Sequence, residues 1–171
     1  MELDQEMIDS FKEEAGGILN ELKVIIEQLE EVENEFPKNL LEEFANKTDR
    51  IMGTANTFYS QFPQYEIFQQ IGNFGGLCKA TGYKASTLNH MGLIPIFAAF
   101  WADTLEIMEQ LCSHIEDSHK LTEINQNIAP VMHKRLVWLA EQIVKINKAQ
   151  GITEQSAMNV DGLLKKLGIN V

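Results

Sequence analysis

Five residues on one predicted helix have the types and spacing to do chemistry together. Asn46, Asp49, Arg50, Gly53 and Asn56 recur at steps of three and four, opposite an apolar seam of Leu41, Phe44, Thr48, Ile51, Ala55 and Phe58. On a helix this spacing gathers two amides, a carboxylate and a guanidinium on one polar face. Gly53 lies in the middle of that face. A glycine there weakens the helix by about 1 kcal/mol relative to alanine, but it lets another backbone come close. A docking face for a partner and a merely tolerated glycine account for it equally well. The other reactive side chains form no constellation. His114 and His119 are five apart, not the four of a helical metal pair, and no Ser-His-Asp, Cys-His or zinc spacing is present, so these two, like His90 and His133, read as ordinary surface or core histidines. Cys78 and Cys112 stand alone, without a CxxC, and read as reduced thiols. No metal site and no cofactor of the chain's own is expected.

The elements that must position this face are all helical. Of 171 residues, 44% are hydrophobic and 23% charged, which suits a globular domain with a sizeable core. Ile8, Phe11, Ala15, Ile18, Leu22, Ile25, Leu29 and Val32 mark a long first helix ending before Phe36-Pro37. Pro37 fits the first turn of the second helix. A third is expected from about Gln64 to Ala80, its Gly72, Gly75 and Gly76 reading as close helix–helix contacts, and Thr81–Asn89 as a loop. A fourth helix covers Leu93–Glu116, and a fifth runs to about Lys148 with Met132, Leu136, Leu139, Ile143 and Ile146 on one stripe. Alternating strand patterns are missing. The expected fold is all-α: an antiparallel four-helix bundle, an additional long helix, and a short C-terminal amphipathic helix. The division is a bundle over 1–148 and a linker with the terminal helix over 149–171.

Charge narrows the partners. The net charge is −11, and residues 1–35 carry twelve acids against Lys12 and Lys23, a net of −10. Such a chain lacks the basic footprint that phosphate backbones require, so no nucleic acid is expected. The acidic first helix reads as a solvated face. The longest apolar run, Leu93–Ala102, is broken by Pro95 and falls short of the roughly 20 residues that cross a bilayer. With no targeting segment in view, a cytoplasmic protein without a membrane is expected.

The stretch Asp49-Arg50-Ile51-Met52-Gly53-Thr54-Ala55 resembles the His-x-x-Lys-Gly-x-Ala signature of histidine phosphotransfer domains, most closely that of the chemotaxis kinase CheA. Those domains are four-helix bundles. An exposed histidine carries the phosphoryl group, and the glycine admits a response regulator. Here Gly53 and Ala55 match, while Asp49 stands at the histidine position and Met52 at the lysine position. The resemblance therefore implies a receiver-docking bundle that is not a histidine phosphotransferase. A second resemblance lies at the C-terminus, where Asn159–Ile169 is similar to the tail peptide of the chemotaxis phosphatase CheZ, which folds as a helix on the regulator CheY. Val160, Asp161, Leu163, Leu164 and Leu167 carry that match, in the pattern of an amphipathic helix that lies in a groove.

Both resemblances imply a CheY-like receiver domain as partner, with Mg²⁺ on the receiver. They point to chemotaxis or two-component signalling. An aspartyl phosphate hydrolyses when water is held in line, and an amide beside an acid serves that end. CheC-type and CheX-type phosphatases use Glu-x-x-Asn. This chain has Glu43-Phe44-Ala45-Asn46, so Asn46 is the expected water-positioning amide, with Glu43 or Asp49 as the acid and Asn56 as a spare. Glu31/Asn34, Glu66/Gln69 and Glu106/Gln110 meet similar spacings, so two solvated residues are the competing account. Whether the protein hydrolyses the phosphate or only sequesters the regulator, and whether it forms a homodimer, the sequence leaves open.

Overall fold

The computed structural model describes residues 3–151, together with Gly162 and Lys165. Six α-helices and one 3₁₀ turn account for its regular structure, with no strand among the described residues. They are α1 (Gln5–Glu30), α2 (Lys38–Gln61), α3 (Glu66–Leu88), a 3₁₀ turn (Met91–Leu93), α4 (Ile94–Ser113), α5 (Ser118–Asn127) and α6 (Ala129–Ala149).

Local chemistry sets several of these boundaries. The Asp4 carboxylate accepts from the Met7 amide at 2.9 Å and caps α1, and Asp117 accepts from the His119 and Lys120 amides to cap α5. Pro37 takes the position just before α2 rather than its first turn. Asn89, in the left-handed region at φ 46°, stops α3.

The first four helices contact one another in cyclic order: α2 lies against α1 and α3, and α4 closes against α3 and α1. Pairs across each seam run in opposite senses. Glu21 meets Lys47 while Glu14 meets Thr54; Asn46 meets Tyr83 while Asp49 meets Lys79; Thr81 meets Trp101 while Cys78 meets Thr104; Lys23 meets Glu109 while Lys12 lies by Cys112. Neighbouring helices are thus antiparallel. The core between them is aromatic. Phe44 stacks on Trp101 with ring centroids 4.2 Å apart, and Phe11 meets Phe68 edge-on at 4.9 Å.

Two further boundaries differ from the sequence expectation. Thr81–Leu88 is the last part of α3, not a loop. Its Gly-Tyr and Ser-Thr residues argue against a helix locally, but Thr81, Ala85 and Leu88 are buried, and the Thr81 hydroxyl accepts the Trp101 indole N–H at 2.8 Å. Losing that partner would leave a buried donor unpaired at a cost of about 1–3 kcal/mol. Tertiary packing overrides the local preference. The fifth helix is divided into α5 and α6 at Ile128, because Pro130 lacks an N–H and disfavours helical geometry at the residue before it. Hydrogen bonds from the Ile128 amide to Ile124 and from the Met132 amide to Ile128, both 2.9 Å, carry the chain through the kink.

The segment Met91–Ser113 reaches the length and apolar composition of a bilayer-crossing helix, longer than the apolar run read from sequence. Its Phe97, Trp101, Leu105, Met108 and Leu111 are buried against the other helices, as befits the central core helix of a bundle.

Candidate functional site

The close approach of α2 and α3 builds the candidate site. It follows from small residues: a Cβ on Gly75 would lie 3.1–3.2 Å from the Cβ, Cα and N of Met52, and one on Gly82 would lie 3.1 Å from the Ala45 Cβ. A Cβ on Gly72 would collide with the Asn56 side-chain oxygen. Gly75 therefore does what the sequence suggests, letting two helices meet nearly backbone to backbone, and Gly82 joins it, whereas Gly72 makes room for the Asn56 side chain. Gly76 has only the Met52 sulfur nearby.

On the outer side of that seam the five predicted residues share one face. Asn46, Asp49, Arg50, Gly53 and Asn56 are all exposed, as is Glu43. Gly53 differs from the seam glycines: a Cβ there would meet nothing within 4 Å. Its missing side chain has no explanation in the packing of the described residues.

The polar side chains around it are held by neighbours. The Tyr83 hydroxyl donates to the Asn46 Oδ1 at 2.5 Å, and the Lys79 ammonium donates to the Asp49 carboxylate at 2.6 Å. Asp49 raises the Lys79 pKa above its ordinary value. Lys47 bridges Glu21 at 2.5 Å and Glu43 at 3.7 Å, and its hydrogen bond lowers the Glu21 pKa. With Oδ1 engaged by Tyr83, the Asn46 NH₂ remains as a hydrogen-bond donor. That group suits a phosphoryl oxygen or the oxygen of a water. Asn39, Glu42, Glu43, Asn46, Lys47 and Arg50 line an open depression along the first half of α2, so Glu43 and Asn46 do share one surface.

Lys79 and Tyr83 were missed from the sequence because their stretch read as the end of a helix and a loop. The signal was present: Gly72, Gly76, Lys79 and Tyr83 recur at steps of four, three and four, one stripe if α3 continues. Val160, Asp161, Leu163, Leu164 and Leu167, predicted to bind the regulator, lie outside the described residues.

Other chemistry finds less support. Burial pushes both thiols up, Cys112 to about 12, so neither supplies a thiolate near neutral pH. No group of three or more His, Cys, Asp or Glu side chains converges on a metal-sized site among the described residues. In comparisons with known proteins, no protein-family model, no curated protein and no solved structure matches this chain.

Proposed function

We propose that the outer face of α2 around Gly53 docks the receiver domain of a CheY-like response regulator, in the manner of a histidine phosphotransfer bundle that has lost its histidine. The observation that carries this reading is Gly53 itself, a mid-helix glycine on an exposed polar face with open space where a side chain would be. A glycine there costs about 1 kcal/mol of helix stability. Close approach by a second protein offsets that cost; nothing among the described residues does. The antiparallel order of α1–α4 is compatible with the four-helix phosphotransfer bundle. The protein belongs in the cytoplasm on this reading, where receivers reside, and Mg²⁺ enters only with the partner.

The activity that fits is hydrolysis of the receiver's aspartyl phosphate. Asn46 would meet the phosphoryl group or the attacking water, with Glu43 or Asp49 holding the receiver's lysine in place. The C-terminal segment with Leu163, Leu164 and Leu167 would add a second, tethered contact. The test is the decay of phosphorylated CheY-like receiver with and without the full-length protein. Acceleration that falls at least tenfold in Asn46→Ala, with binding retained, is expected. Unchanged decay in the presence of wild-type protein rejects the phosphatase.

A binding-only adaptor is the second reading, and one observation favours it. Asn46 is already engaged by Tyr83 and Asp49 by Lys79, as in a surface arranged for contact rather than for chemistry. Tight receiver binding with no change in phosphate decay would establish it.

A further inference from the structure

We propose that two copies of this chain associate by laying α6 of each along the acidic face of α1 of the other. On α6, Val131, Lys134, Trp138 and Lys145 recur at steps of three, four and seven, and so form one stripe. Val131 is 46% exposed and Trp138 49%, an uncommon degree for a tryptophan on a helix whose opposite side, Met132, Leu136, Leu139 and Ile143, is buried. Lys134 and Lys145 are exposed and take part in no ion pair among the described residues. The helix as a whole carries four cations against the single acid Glu141.

The complement lies on α1, which holds seven acids against two lysines. Glu13, Gly17, Asn20, Val24 and Glu27 recur at steps of four, three, four and three on its solvent side. Val24 is 50% exposed, in a surround of carboxylates. A Cβ on Gly17 would meet nothing within 4 Å, so this exposed glycine, like Gly53, has no packing partner among the described residues. The gap at Gly17, with an exposed valine two turns on and acids that form no ion pair among the described residues, complements in charge an exposed indole flanked by lysines likewise unpaired among them. If the two helices run antiparallel, Trp138 falls over the turn from Gly17 to Asn20. The same register sets Lys145 opposite Glu13 and Lys134 within a turn of Glu27. Each copy offers both stripes, so a twofold axis closes the pair with two equal contacts. The central tryptophan is the expected anchor, since aromatic residues dominate such interfaces.

The test is the mass of the full-length protein in solution, by light scattering and sedimentation over a range of concentration and salt. The wild type is expected to dimerise at low salt and to weaken as salt rises. Trp138→Ala should raise the dimer dissociation constant at least tenfold. The charge reversals K134E/K145E and E13K/E27K, all at exposed positions, should each be monomeric alone. Mixed one to one they should pair, because the mixed dimer has one native contact and one with both signs reversed. A wild type that is monomeric at every concentration overturns the proposal. So does a dimer that ignores Trp138→Ala, or a mixture of folded variants that stays monomeric.

Discussion

The two sides of the α2–α3 pair use glycine for opposite ends. On the inner side, Gly72, Gly75 and Gly82 each face atoms of α2 so near that an added methyl group would crowd them. On the outer side, Gly53 faces open space. The inner glycines are explained by the chain's own packing, and their cost in helix propensity is offset by the contact that they permit. The outer one carries the same cost with no such return. A glycine's neighbours, rather than its presence, decide whether it points to a partner.

Substitutions on the two sides should therefore differ in sign as well as size. Gly75→Val must force Met52 and its backbone away from α3, and is expected to destabilise the protein by about 3 kcal/mol, the upper range for overpacking. Chemical denaturation measures this; a loss below about 1 kcal/mol would mean that the seam yields easily, and the comparison would lose its inner half. Gly53→Ala should instead stabilise the fold by about 0.5–1 kcal/mol, because it restores helix propensity without a clash. A destabilised Gly53→Ala would show that the position has an internal role after all. The smallest effect concerns the ion pair between Lys47 and Glu21, which ties α1 to the outer face. Its hydrogen bond lowers the Glu21 pKa, so the stability that it adds is present above the ordinary carboxylate value and fades as pH falls through the lowered folded value. Glu21→Gln should flatten the acid limb of the stability profile slightly, since both groups are near the surface.

The helices were legible in the sequence wherever their apolar residues kept the period of a surface helix. The seams of α1 and α2 reappear in the core, with Phe11, Leu22, Leu41 and Phe44 fully buried. The errors fell where tertiary contacts decide. Thr81 belongs to a helix because Trp101, twenty residues on, needs its oxygen, and no local pattern announces that bond. The kink at Pro130 had a plain local signal, but Leu121, Ile124, Ile128 and Met132 keep the helical spacing through it and hide the break. The polar face of α2 was readable as a stripe, whereas its partners Lys79 and Tyr83 come from α3 and depended on placing that helix correctly. The openness around Gly53 was only half readable: the spacing puts it on the polar face, but a sequence cannot distinguish a glycine that faces a neighbouring helix from one that faces solvent.

The central claim is that the space above Gly53 is kept for a receiver domain. The most direct measurement is the affinity of full-length protein for a purified CheY-like receiver with Mg²⁺ and an aspartyl-phosphate mimic, for wild type, Gly53→Ala and Gly53→Arg. Binding that survives alanine with little loss and falls at least a hundredfold with arginine, about 2.7 kcal/mol, is the predicted result. Equal affinity for all three proteins, or no binding by the wild type, would contradict it.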